Sequence, residues 1–139
     1  IDRMLSQPDM TGLMAASDIV ISLHRSEGFG LVPADAMRLG KPVVATGWSG
    51  NLEFMSKNNS ALISYRLVPV SDSDPSFDDG GQSWAEANVD DAAEWLRRLA
   101  ASAELRRNMG AAAQADVTRK LSPEGFVRTV ESLLRSAKA

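Results

Sequence analysis

The sequence predicts an α/β fold, part of a doubly wound parallel sheet followed by a helical carboxyl-terminal part. Three observations carry this. Short continuous apolar runs, IVISL at 19–23, PVVAT at 42–46 and ALIS at 61–64, have the length and apolar character of strands buried on both faces. Helix-forming segments alternate with them, as parallel strands joined by crossover helices require. A glycine-bearing turn, EGFG at 27–30, leads from the first run into the next helix, at the strand's carboxyl end where ligands of such sheets sit.

Taken in order, Asp9 to Ser17 reads as a short helix and Ile19 to Leu23 as the first strand. Residues 31–39 form the next helix, since Ala34, Ala36, Met37 and Leu39 are good helix formers. Pro33 fits its first turn, where a missing N–H removes no intrahelical bond. Pro42 to Thr46 is the second strand, Ser49 to Ser56 is expected as a further helix, and Ala61 to Ser64 as a third strand. VSDSDPSFDDGGQ at 70–82 is acidic and rich in Ser, Pro and Gly, and reads as a long surface loop. Three helices follow. Val89 to Ala101 carries Val89, Ala92, Leu96 and Leu99 on one face, and Ala103 to Leu121 carries Leu105, Met109, Ala112 and Val117. The last, Pro123 to Ser136, starts on Ser122 as N-cap and has Phe126, Val130, Leu133 and Leu134 as its apolar stripe. The whole of 1–139 is expected as one domain, α/β over 1–70, an acidic loop over 71–88 and helical over 89–139.

Composition narrows the function. A chain of 139 residues is one domain's worth, large enough to bury a core. A net charge of −3 argues against a nucleic-acid partner, which calls for a basic face. The absence of cysteine excludes a disulfide framework and thiol ligands, and fits a cytoplasmic location. No apolar run approaches the ~18 residues of a membrane span.

The chemistry-bearing stretch is SEGFGLVPADAMRLGKPVVATGWSGNLEFM, residues 26–55. Gly28 and Gly30 let the backbone adopt φ > 0 and approach a ligand closely. The free N–H groups and positive dipole end of the helix that follows make an anion site suited to a phosphate or pyrophosphate. Asp35 lies about one turn into that helix, within reach of ribose hydroxyls, and Glu27 faces the other end of the same ligand. The competing reading is an ordinary strand-to-helix turn, with Glu27 solvated and Asp35 merely favourable near a helix N-terminus. Gly47 and Gly50 open a second loop at the carboxyl end of the next strand. Glu53 beyond them either binds a sugar hydroxyl or caps its helix with Ser49 or Asn51. His24, the only histidine, and Arg25 follow the first strand, either as ligand contacts or as loop residues. Trp48 either walls the pocket or is an exposed loop aromatic; Trp84 and Trp95 read as structural. Tyr65 and Arg66 follow the last strand and could approach the base, but nothing in the spacing requires it. Asp72 and Asp74 form a D-x-D pair in the acidic loop, read as solvated rather than as metal ligands.

This stretch resembles the retaining glycosyltransferases of GT-B fold, family four, whose signature is an acid, a glycine-rich turn and a second acid eight positions on, here Glu27 and Asp35. The resemblance continues through AMRLGKPVVAT and GWSGNLEF and covers roughly residues 9–70. It implies that Glu27 contacts hydroxyls of the donor sugar and that the amides of Gly30, Leu31 and Val32 hold the diphosphate. Asp35 would bind the ribose. Gly28, Phe29, Gly47, Gly50, Glu53 and His24 complete the donor site. Asp35 is one methylene shorter than the usual Glu. The fold implied is the Rossmann-like carboxyl-terminal half of a GT-B enzyme. The activity implied is transfer of a hexose from a nucleotide-diphosphate sugar to a glycan or lipid-linked acceptor, without cofactor or metal. Only three strands are counted, and the basic pair that neutralises the leaving diphosphate has no match. The chain is therefore expected to be a piece of a longer transferase that engages its acceptor through a further domain, peripheral to a membrane in the parent and inactive alone, whose unpaired sheet edge self-associates. The alternative from another class is a non-catalytic flavodoxin-like or receiver-like module that binds a phosphate or a partner protein.

Overall fold

Val43–Thr46, the second strand (β2), is buried along its whole length, because it lies between two parallel neighbours and under helices on both faces. The computed structural model describes residue 2 and residues 4–70 and 81–136. The first strand, β1 (Val20–Ser22), and the third, β3 (Ala61–Ile63), flank β2 in the order β1-β2-β3, with Ile21 opposite Val44 and Val44 opposite Ala61. All three strands are parallel, as the apolar runs predict.

Side chains alternate across this sheet. Val43 and Ala45 point to a core made with Met14 of α1 (Gln7–Ala16), with Ala36 and Met37 of α2 (Leu31–Arg38), and with Phe54 and Met55. Val44, between them, points to the other face and packs with Ile63, with Ala92 and Leu99 of α3 (Val89–Ala101), and with Met109. The helix α4 (Ala103–Lys120) serves both cores, through Met109 on one and Ala113 and Val117 on the other. At Gly110 a Cβ would lie 2.0 Å from the Gly40 carbonyl oxygen, so α4 lies directly against the turn that ends α2. The last helix, α5 (Pro123–Ser136), begins as predicted, its Gly125 N–H donating to Ser122 Oγ at 2.9 Å. Its apolar stripe leaves Phe126 and Leu133 about two-thirds exposed, at 69% and 66%.

Two expectations are corrected. The helix expected over Ser49 to Ser56 is one 3₁₀ turn, Gly50–Glu53, because Asn51 turns inward, fully buried, and its Nδ2 donates to the Thr46 carbonyl at 3.1 Å. The segment expected as loop over 71–88 contains a strand. β4 (Tyr65–Pro69) and β5 (Ser83–Ala87) pair antiparallel, from Tyr65 opposite Ala87 to Pro69 opposite Ser83. This hairpin is tied to the sheet's carboxyl end by Ala85 N–H, which donates to the Arg25 carbonyl at 2.9 Å, and the Arg25 guanidinium lies 4.7 Å over the Trp84 ring. Asp72 and Asp74 lie outside the described residues. No helix among the described residues is long and apolar enough to cross a membrane.

Candidate functional site

The carboxyl ends of β1 and β2 deliver two loops, 23–30 and 47–50, that interlock through backbone. The Glu27 carbonyl accepts the Gly50 N–H at 3.0 Å and the Ser49 hydroxyl at 2.7 Å. Gly50 is required by this approach, since a Cβ there would lie 2.1 Å from the Gly28 carbonyl oxygen. Ser49 adopts φ 80° and ψ −157°, a conformation that costs a non-glycine residue about 1–3 kcal/mol and that its hydroxyl bond helps to hold. Gly28 itself does not take a positive φ, and a Cβ there would meet nothing within 4 Å. The backbone freedom expected of both turn glycines is therefore used at Gly30 alone.

His24 fastens the same two loops. Its Nε2 lies 3.0 Å from the Trp48 carbonyl, which can only accept, so in the neutral ring Nε2 carries the proton. Nδ1 then accepts from the Ser22 hydroxyl at 3.2 Å. The His24 carbonyl accepts the Thr46 hydroxyl at 2.7 Å. Both ring nitrogens are thus engaged by the protein, a role in positioning the loops that the sequence alone does not reveal.

Between the loops lies the N-terminus of α2. Gly30 is its N-cap, in the left-handed region at φ 97° and ψ 54°, and no side chain caps the helix. A Cβ at Gly30 would meet Asn51 Cβ at 3.2 Å and Phe54 Cζ at 3.3 Å, so the turn packs directly on the 3₁₀ segment. The first intrahelical bond is donated by Ala34 to the Gly30 carbonyl at 2.9 Å, which leaves the Leu31 and Val32 amides ahead of the hydrogen-bonded turn. Asn51 Oδ1, buried beneath Gly30, has no hydrogen-bond partner among the described residues. An uncapped helix end at the carboxyl ends of parallel strands is suited to an anion.

The remaining candidates lie on the far side of this end. A groove of about 950 Å³ runs between α2 and α5, and Phe29, Leu31, Asp35 and Glu53 line it together with Arg38 and Lys120. Phe29 stacks on the buried Phe54 at 5.2 Å. Glu53 is exposed, and no side chain caps its short 3₁₀ turn. The sequence-predicted residues therefore divide into two rows. His24, Glu27, Gly28, Gly47 and Gly50 belong to the crevice, while Phe29, Leu31, Asp35 and Glu53 belong to the groove, with Gly30 at the junction. Ser49, Asn51 and the hairpin were not singled out as site features from sequence. The apolar–charged–apolar order of Tyr65, Arg66 and Leu67, followed by the β-branched Val68, is a signal that points to the hairpin.

A parallel sheet whose strand ends present an uncapped helix behind a glycine turn defines a partial Rossmann-like α/β domain. More particularly, the chain belongs to the family 4 glycosyltransferases, matching the family described as family 4 glycosyltransferase in conflict systems over residues 5–121. No curated relative matches it. The family match ends before α5.

Proposed function

We infer that this chain is the donor-binding part of a GT-B hexosyltransferase, which transfers a hexose from a nucleotide-diphosphate sugar to a glycan or lipid-linked acceptor with retention at the anomeric carbon. The observation that carries this reading is the uncapped N-terminus of α2, opened by Gly30 between the two acids. The Glu27 carboxylate accepts hydrogen bonds from hydroxyls of the donor sugar in the crevice. The Leu31 and Val32 amides, with the helix dipole, hold the diphosphate without a metal. The nucleoside runs along α2 into the groove, where Asp35 accepts from the ribose and Arg38 and Lys120 add positive charge.

The chemistry in this reading is positional. The bond from the anomeric carbon to the diphosphate oxygen breaks as the acceptor oxygen bonds that carbon from the same face of the ring, and the acceptor hydroxyl's proton passes to the departing diphosphate oxygen. The protein's contribution is to hold both partners and to stabilise charge on the departing diphosphate. Cations on the rest of a longer parent protein complete that stabilisation, so the chain alone is expected to bind donor and not to turn over. The test is a titration of isotope-labelled protein with UDP, GDP, ADP and their sugar conjugates, following backbone amides. Shifts centred on Gly28 to Val32, weakened in Glu27→Ala for the sugar conjugates and in Asp35→Ala for all, are expected. Silence at these amides in a folded protein would overturn the reading.

A further inference from the structure

We propose that Trp48 and Tyr65 form a shelf on which a pyranose ring of the acceptor saccharide stacks, next to the donor sugar. This rests on the donor reading above, because that reading fixes which end of the crevice the diphosphate occupies. The Trp48 and Tyr65 rings lie 5.3 Å apart and are inclined by 52°. Tyr65 is 38% exposed, and Leu67, two residues on and therefore on the same face of β4, is 51% exposed. Neither the Trp48 indole N–H nor the Tyr65 hydroxyl bonds to a protein group among the described residues. Aromatic faces with unused polar edges are the surface that a sugar needs, with C–H groups on one side of its ring and hydroxyls around the rim.

The backbone that carries each ring is held before any ligand arrives. The Trp48 backbone is held by His24 through its carbonyl, and the neighbouring Ser49 by its hydroxyl bond to Glu27. Tyr65 starts a strand anchored at its base, where Ser64 N–H and Oγ both donate to Asp91 Oδ2 at 2.8 Å and Asn88 N–H donates to the Ser64 carbonyl at 2.8 Å. A surface ordered in this way loses little freedom on binding.

Contacts connect the pieces one to the next. Gly30 packs on Asn51, the Glu27 main-chain carbonyl accepts from Ser49 and Gly50, Trp48 precedes Ser49 in the chain, and Tyr65 lies against Trp48. A donor whose diphosphate sits on α2 and whose sugar meets Glu27 ends where the shelf begins. The next ring along this chain of contacts belongs to the acceptor. A nucleobase is the other flat partner such rings accept, but in this order it lies at the opposite end, in the groove beside Asp35.

The test uses the full chain with two sets of probes, methyl hexopyranosides with gluco-, manno- and galacto-linked disaccharides in one arm and UDP, GDP and ADP in the other. Saturation-transfer NMR should mark one face of a hexose ring, and the Trp48 indole signal should shift with sugar. Tyr65→Ala should weaken that binding roughly tenfold, and Tyr65→Phe should retain most of it. Trp48→Phe, with Trp84→Phe as control, checks the assignment, and spectral dispersion shows that each variant is folded. The nucleotides should move Gly28 to Val32 and leave the Trp48 indole unmoved. Absence of any saccharide response, undiminished sugar binding in Tyr65→Ala, or a Trp48 response to nucleotide in place of sugar would each overturn the proposal. A sugar response with no nucleotide response would remove the donor reading and leave the saccharide shelf standing, so the two fail separately.

Discussion

Gly50→Ala tests whether the two strand-end loops are clamped by close backbone approach. A Cβ at position 50 would lie 2.1 Å from the Gly28 carbonyl oxygen, 2.6 Å from its carbon and 3.0 Å from the Glu27 oxygen, and all three are main-chain atoms that no rotamer change can move. The loops must part by about 1 Å to restore normal contact. That separation breaks the bonds from Gly50 N–H and Ser49 Oγ to the Glu27 carbonyl. Two hydrogen bonds at about 1 kcal/mol each, with residual overpacking of about 1 kcal/mol, give a loss of roughly 3 kcal/mol. For a domain of this size the melting temperature should fall by about 10 °C. Gly28→Ala is the control, since its Cβ meets nothing within 4 Å, and it should stay within about 0.5 kcal/mol of the parent. Thermal unfolding by circular dichroism, with urea melts to obtain the free energies, reads both. A Gly50→Ala melting point within about 2 °C of the parent, or equal losses in the two variants, would refute the clamp.

Phe54→Ala, at a fully buried ring that supports Phe29, should cost about 3–5 kcal/mol in urea melts. Asp116 accepts hydrogen bonds from Arg119 at 2.6 Å and from Asn59 Nδ2 at 2.9 Å, which hold its carboxyl below the usual carboxylate range. A folded value below the unfolded one contributes stability that is full above the unfolded pKa and is lost as pH falls through the folded one. Asp116→Asn should therefore cost at most about 1 kcal/mol near neutrality, because Arg119 is largely exposed, and the difference should vanish on acidification below the folded pKa. Along β1, whose outer edge has no strand beside it among the described residues, Ile21 is 46% exposed. Self-association through that edge should appear as concentration-dependent sedimentation of the parent and disappear in Ile21→Lys; a monomeric boundary at all concentrations would exclude it.

The parallel sheet was legible because each strand is a local apolar run, and the βαβ order of runs and helices leaves little choice of topology. The start of α5 was legible for the same reason, since Ser122 and Pro123 act within one turn. What escaped depends on residues distant in sequence. SWAEA has weak strand propensity, and becomes β5 only by pairing with Tyr65–Pro69 and by packing Trp84 under Arg25. The turn at Gly50–Glu53 is short because Asn51 bonds inward to Thr46, a contact that helix propensity does not register. In the site, the importance of Gly30 was visible from its place before Pro33. The parts played by Gly28 and Gly50 were not, because the close approach at Gly50 is to a loop more than twenty residues earlier.

The same long-range contacts explain how α2 can leave its N-terminus open. Its other end is held by α4, with Gln114 Nε2 donating to the Arg38 carbonyl at 2.8 Å and Gly110 set against the Gly40 carbonyl. Its buried side is fixed by Met37, Ala36 and Pro33 in the core. The helix is therefore positioned without using any group at its amino end, and Gly30 supplies the turn without a capping side chain. A Ser or Asp at position 30 would satisfy those amides internally and compete with any bound anion. It would also be strained at φ 97° and crowded by Asn51 and Phe54, so packing and the left-handed turn together keep this cap free. An anion that arrives there meets donors already aimed, and the cost of ordering them was met when α2 packed on the sheet.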